Sequence, residues 1–211
     1  MYTPPHFRED DIALLHETIR RIAFGTLVTL GPDGLVASHV PMLLDAEKGT
    51  HGTLTGHLAK ANIQTKTEAS NIEALAIFQG PDAYITPNWY ATKQEHGKVV
   101  PTWNYVAVHA YGQISFFEDT ERLRDQVSRL TDKHEAENAE PWAVNDAPEN
   151  FVQSHLKGII GFEIPITRID GKWKLSQNRP AEDKKGVMSG LDSRDGADAA
   201  ISSVTRERLQ S

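Results

Sequence analysis

The sequence predicts an α+β fold, mainly β with peripheral helices: a small antiparallel or mixed barrel with helices packed outside it. Three observations carry that expectation. Short β-rich runs separated by Gly, Pro and Asp recur from Phe24 to Phe117, at a spacing typical of barrels and sandwiches. Helical periodicity is confined to a first segment, a stretch after Asp119 and the C-terminal tail. A last β-rich run, IIGFEIPITRI at 159–169, follows the central helical stretch, so two closing strands return the chain to the sheet.

In order, residues 9–22 place Ile12, Leu14, Leu15, Ile19, Ile22 and Ala23 at helical spacing, predicting a helix that ends before Phe24. FGTLVTL (24–30), the turn GPDG (31–34), LVASHVPMLL (35–44), the turn AEKG (46–49) and THGTLTGH (50–57) read as a three-stranded meander. LAKANIQ (58–64) follows as a short helix or turn. Two strands, 74–79 and 82–86, are expected on either side of Gly80-Pro81, then an aromatic loop at 87–97 and a long strand at 99–117 broken by Pro101. Asp119 is placed to cap a helix through about Asn138, with Leu123, Val127, Leu130 and His134 on one face. Pro148 suits the first turn of another helix ending near Gly158. Asp170-Gly171 between 159–169 and KWKLSQ (172–177) predicts a tight hairpin, and the rest reads as a turn, a short helix and a polar C-terminal helix. The chain is thus expected to be one domain, 1–211, with a helical insertion at 118–158 and a helical tail at 180–211.

Composition excludes several chemistries. The 211 residues contain no Cys, so thiolate catalysis, disulfides, iron–sulfur clusters and cysteine-ligated zinc are ruled out. Nine His occur without an HExxH or HxH pair, and no metal is expected. GxSxG, GxGxxG and GxxxxGK[ST] are missing, which argues against a hydrolase elbow and against Rossmann or P-loop nucleotide sites. No apolar run is long enough to span a membrane, and the polar N-terminus is unlike a signal peptide, so a cytoplasmic protein is expected. The net charge of −7 opposes nucleic-acid coating, and no basic recognition helix is evident, so direct DNA binding is not expected. The charge is uneven: residues 118–149 carry −6, whereas residues 168–179 carry +3.

Three clusters stand out. Ser38 and His39 sit mid-strand, on opposite faces by strand alternation, and precede Gly56-His57-Leu58-Ala59-Lys60-Ala61-Asn62. Lys60 and Asn62 on a turn of small residues with accessible amides suit a phosphate; a strand His and a surface Lys are the plain alternative. The second cluster is aromatic, with Tyr84, Trp89, Tyr90, Trp103, Tyr105, His109 and Tyr111 suited to stacking on a planar ring, or else to an ordinary core or interface. The third is KWKLSQNR (172–179), where Trp173 flanked by Lys, with Gln177, Asn178 and Arg179, forms a donor-rich strip suited to an anion with a planar group; a solvated hairpin is the alternative.

Laid in order, MYTPPHF, FGTLVT, LVASHVPMLLD, GTLTGHLAKAN, ALAIFQGPDAYITPNWY, HGKVVPTWNYVAVHAYG, LTDKHE, PWAV and DAP around Asn145, GFEI and GKWKLSQNR resemble the PaiB family of FMN-binding negative transcriptional regulators. The resemblance runs from Met1 to about Leu191 and is similar in turn to the pyridoxamine-phosphate-oxidase-like proteins. It implies an FMN-binding split β-barrel, a homodimer and a flavin groove shared by both subunits. It also implies that the Ser38-His39 strand lies along the flavin, and that His57, Leu58, Ala59, Lys60, Ala61 and Asn62 form the phosphate turn. Lys60 stands where the family often has Arg, and would hold phosphate as a point charge rather than a fork. Trp103, Tyr105, Trp173, Gln177, Asn178 and Arg179 are implied near the ring or the dimer seam. The expected function is a flavin-dependent regulator. The alternatives are an FMN-dependent oxidoreductase, with His39, His57 and His109 as candidate proton donors but no catalytic set dictated, and a haem-binding or haem-degrading protein.

Overall fold

A computed structural model describes residues 1–31, 33–66, 73–194 and 197–210; Pro32 of the expected GPDG turn lies outside them. In chain order the elements are β1 (Arg8–Glu9), α1 (Ile12–Ile22), β2 (Phe24–Gly31), β3 (Gly34–Pro41), β4 (Leu43–Asp45), β5 (Thr53–Ala59) and β6 (Glu73–Ile85). Then follow α2 (Thr92–His96), β7 (Thr102–Gln113), β8 (Ser115–Phe117), α3 (Thr120–Glu135), α4 (Glu149–Leu156), β9 (Ile159–Pro165), β10 (Arg168–Lys174), α5 (Ala181–Asp192) and α6 (Ala197–Gln210). Two compact units result: Met1–Asp11, Gln79–Val108 and Asp170–Ser211 form one, Ile12–Phe78 and His109–Ile169 the other. They are called below the terminal and the central unit.

In the central unit β4, β5, β9 and β8 form a four-stranded sheet in that order, and β6, β2 and β3 pair as part of another. The registers are antiparallel, with Leu27 opposite Ser38 and Gly56 opposite Phe162. The expected strand 35–44 is therefore two strands in two sheets, and the three-stranded meander does not form. Pro41 has no N–H to continue the ladder, and the amide of the fully buried Met42 instead donates to Ala23 O at 2.8 Å. The cap of α3 is as expected, Asp119 Oδ1 accepting from Arg122 N at 2.8 Å, and the helix buries Leu123, Gln126 and Leu130. Leu123 packs with Val144, Val152 and Leu156, so the stretch between the sheet strands builds a small core of its own.

In the terminal unit β1 pairs with β10, Glu9 opposite Gly171. Asp170-Gly171 is consequently strand rather than turn, and β9 and β10 are not a hairpin but belong to different sheets. The chain turns instead at Ile166 and Thr167, whose amides donate to Gly52 O and Tyr111 O of the central unit, each at 2.9 Å. Gly80-Pro81 likewise does not break β6; registered pairing with β2 ends at Ile77, so the missing N–H of Pro81 interrupts no bond of that ladder. The aromatic loop after β6 is ordered into a 3-10 turn at Pro87–Trp89 and α2.

Helix α5 lies against that turn. Asp183 is buried and accepts from Thr92 N at 3.0 Å and Thr92 Oγ1 at 2.8 Å. Gly186 and Gly190 sit where Trp89 meets the helix: a Cβ on Gly186 would lie 1.8 Å from Trp89 O, and one on Gly190 2.2 Å from the indole. Only glycine permits this approach, and Arg194 covers the same indole at 4.4 Å.

Two outcomes follow from this packing. Gly186→Ala should cost roughly 1–3 kcal/mol by overpacking, read as a lower urea midpoint with an unchanged slope. Glu163 on β9 is paired with Lys48 at 2.7 Å and with Arg122, and the hydrogen bond from Lys48, aided by the Arg122 charge, holds its carboxyl below the usual range. A depressed carboxylate stabilises the fold above its unfolded pKa, about 4.3, and that stability disappears as pH falls through the folded value. Glu163→Gln should remove about 0.5–1 kcal/mol at neutral pH and flatten the acid limb of a stability–pH curve; an unchanged acid limb would show the pairs to be energetically silent.

Candidate functional site

In the central unit, Ser38 and His39 fall on opposite faces of β3 as expected, Ser38 half-buried and His39 exposed. Ser38 Oγ accepts from Asn62 Nδ2 at 2.9 Å, which ties the strand to the turn after β5. Thr26 Oγ1 and His39 Nδ1 share a hydrogen bond of 3.0 Å, and the His39 ring stacks on the exposed Phe24 at 6.4 Å with 28° between planes. Asn62 also receives Gln64 N on Oδ1, at 2.9 Å. The buried Gln64 amide donates to Leu27 O, Thr29 Oγ1 and Val36 O, fastening the turn to β2 and β3.

The turn itself is less open than its small residues suggest. Lys60 N donates to Gly158 O and Asn62 N to Ala59 O, each at 2.9 Å, so those two amides are already used. The Lys60 ammonium is exposed and pairs with the exposed Glu118 at 2.6 Å, an interaction that a stronger anion can displace. Ala59 and Ala61 are exposed, whereas Leu58 is 3 % exposed and belongs to the core. His57 Nδ1 meets Gln126 Oε1 at 2.9 Å. His57 also lines an apolar cavity of about 320 Å³ together with Trp142, Phe151, His155 and Leu156. Trp142, Phe151 and His155 have no counterpart in the sequence-based site, because an isolated aromatic in a polar stretch carries no periodic signal.

In the terminal unit strand alternation sorts the PTWNY residues. Trp103 is 53 % exposed with Tyr84 edge-on at 5.9 Å, and Tyr105 is half-buried with the Lys172 ammonium 5.2 Å from its ring. Trp173 is 4 % exposed, and Gln177 serves the local backbone, accepting from Leu175 N at 2.7 Å and donating to Trp173 O at 2.5 Å. Asn178 and Arg179, by contrast, line a cavity of about 140 Å³ with Phe7, Thr102, Asn104, Lys174 and Ser176.

Local structure explains why these residues converge. Thr102 and Asn104 share one face of β7, opposite to Trp103. Ser176 adopts a left-handed φ of 65°, reversing the chain so that Arg179 N donates to Ser176 O at 3.0 Å. The conformation is uncommon for serine and is held by a buried bond from Ser176 Oγ to Asn104 Oδ1 at 3.0 Å. Lys174 donates to Thr102 Oγ1 and Trp103 O. Burial pushes its ammonium below the usual lysine range, and Lys172 and Arg179 push the same way. Arg179 lies over the Tyr90 ring at 4.4 Å, and burial raises the Tyr90 phenol despite that charge. Asn104 and Ser176 lie within PTWNY and KWKLSQNR, yet no sequence signal distinguishes an amide facing a cavity from one facing solvent.

Comparison with known proteins places these observations. The family described as "Putative FMN-binding domain" matches residues 1–168. The Bacillus subtilis protease synthase and sporulation protein PAI 2 is 34% identical over 94% of this chain and 93% of its own. An uncharacterized protein of Emericella nidulans is 37% identical over 99% of this chain and 97% of its own. Among solved structures, the conserved hypothetical protein Rv2991 of Mycobacterium tuberculosis superposes with a TM-score of 0.58 at 13% identity, covering 85% of this chain and 94% of that one. The FAD and heme binding protein of Mycobacterium smegmatis gives 0.57 at 13% identity over 79% of this chain and 73% of that one. These two likenesses concern the fold, which is the expected α+β class of split-barrel proteins. With the match spanning residues 1–168 and the PAI 2 similarity spanning nearly the whole chain, this protein belongs to the PaiB-type family of FMN-binding domains, whose cofactor is FMN.

Proposed function

We propose that this protein is a cytoplasmic, homodimeric negative transcriptional regulator in which FMN occupancy or redox state alters a dimer surface that partners recognise. The observation that carries the reading is the 34% identity to PAI 2 over 94% of the chain, a relative named for protease synthesis and sporulation. No direct contact with DNA is required. No helix among the described residues is long and apolar enough to cross a membrane.

The donor set of the central unit fits the cofactor's chemistry. Lys60 would take the phosphate as a point charge in exchange for Glu118, and Asn62 with Ser38 would meet ribityl hydroxyls or phosphate oxygens. The exposed Phe24–His39 pair is a flat surface of the kind a ring system stacks on. In the terminal unit, Trp103 is the aromatic of the original set with the most exposed face. When bound, FMN supplies hydride and one-electron chemistry. His39 favours the second reading, an FMN-dependent oxidoreductase: Thr26 fixes Nδ1, so the exposed ring keeps Nε2 for a proton.

FMN titrated into the purified protein should saturate at one flavin per chain by fluorescence quenching, with light scattering giving the mass of a dimer. Lys60→Ala should weaken FMN roughly tenfold, or about 1.4 kcal/mol. In a strain lacking the gene, wild-type protein should restore repression of the derepressed transcripts and Lys60→Ala should not. Equal restoration by both would separate regulation from flavin, and rapid NAD(P)H-dependent bleaching of bound flavin would favour the oxidoreductase.

A further inference from the structure

The cavity of the terminal unit, whose Asn178 and Arg179 the family resemblance implies near the flavin ring or the dimer seam, has an anion-binding chemistry of its own, separate from the Lys60 turn. Its wall brings together the Lys174 ammonium, the Arg179 guanidinium, the Ser176 and Thr102 hydroxyls and the Asn104 amide, and among the described residues no acidic one lines it. Two cations in one small cavity repel each other unless an anion lies between them. Lys172, 8 % exposed, adds positive charge on the same strand, and Arg8 stands opposite it in the β1–β10 register. Asn104 is fully buried; its Oδ1 is bonded to Ser176, but its Nδ2 has no partner. A buried amide NH2 without an acceptor carries a desolvation cost that a bound acceptor would cancel.

Among the described residues that line this cavity, the buried side-chain atom without a partner is a donor, Asn104 Nδ2, and the two charged groups are cations. We propose that the cavity is a second anion site, binding the oxyanion group, phosphate or carboxylate, of a small-molecule ligand other than FMN. Arg179 grips the oxyanion as a planar fork, Lys174 balances it as a point charge, and Asn104 donates its free N–H. The volume, about 140 Å³, accommodates such a head group but not a flavin ring, so the remainder of the ligand extends outward past the exposed Asn178. In the proposed regulator this ligand is an effector, and in the oxidoreductase it is the substrate. The oxyanion site depends on neither role.

The test uses the full chain, first without flavin and then saturated with FMN, titrated by calorimetry with inorganic phosphate and, separately, with acetate, at constant ionic strength. Saturable binding of at least one anion is expected in both forms, with their ratio telling phosphate from carboxylate ligands. Arg179→Gln and Lys174→Met should each weaken it at least tenfold, and Asn104→Asp, which places an acceptor and a negative charge at the same position, should abolish it. Circular dichroism and the urea midpoint check that each variant is folded; if Asn104→Asp is not, Arg179→Gln, on the half-buried turn, decides. Equal affinity in wild type and Arg179→Gln, no saturable binding of either anion, or loss of the Arg179-dependent binding on saturation with FMN would each overturn the proposal. Flavin uptake is read separately by absorbance, so a protein that binds phosphate in the cavity but takes up no FMN refutes the flavin reading and leaves this one standing.

Discussion

A strand that leaves one sheet for another must still find partners for its backbone amides, and much of this structure follows from how that demand is met. Met42 donates to Ala23 after Pro41 ends the β3 ladder, and Ile166 and Thr167 donate to Gly52 and Tyr111 after β9 ends at Pro165. Unpaired amides at these crossings would each cost about as much as a lost hydrogen bond, a sizeable share of a domain's net stability. Both crossings follow a proline. The residue that cannot donate closes one ladder, and the next amide is released to begin another contact.

The same economy shapes the two candidate sites. In the central unit the turn after β5 is held by side chains: Asn62 to Ser38, and Gln64 to three acceptors on β2 and β3. Lys60 projects from a turn whose amides are largely used internally, so its charge rather than a backbone nest is what the turn offers an anion. In the terminal unit the Asn104–Ser176 bond steadies a left-handed turn and thereby sets Arg179 beside Lys174. Charge distribution agrees with this division. The chain is −7 overall, but the acidity is concentrated at residues 118–149, and the segment that ends in Arg179 is locally positive.

Much of the fold is legible in the sequence. The first helix, the β2–β3 pair, the Asp119 cap, the Leu123–Leu130 face and the two C-terminal helices each rest on local chemistry: spacing, turn residues, a capping carboxylate. Two local signals misled for different reasons. Asp170-Gly171 is a strong turn signal, yet Gly171 pairs with Glu9, more than 150 residues away in sequence. Gly80-Pro81 reads as a break, yet β6 continues through it. At Gly171 a pairing distant in sequence overrode a local preference of about 1 kcal/mol, whereas at Gly80-Pro81 the ladder with β2 has already ended at Ile77 and the proline has no bond of it to break. For the site, residue types were legible and their surroundings were not: Leu58 and Trp173 are core, Gln177 is spent on its own backbone, and Asn104 emerges only when β7 and the Ser176 turn face each other.

The resemblance along nearly the whole chain implied the family and its FMN cofactor; the residues by themselves determined the α+β class, the absence of thiol chemistry and the two segments in which donors and aromatics gather. These depend on composition and on patterns within a few residues, which folding cannot alter. Only the tertiary structure decided which strands pair, which donors are already satisfied and where cations meet. Those properties arise between residues remote in the chain, through burial and hydrogen-bond closure, and the free energy of a buried donor depends on the partner that reaches it.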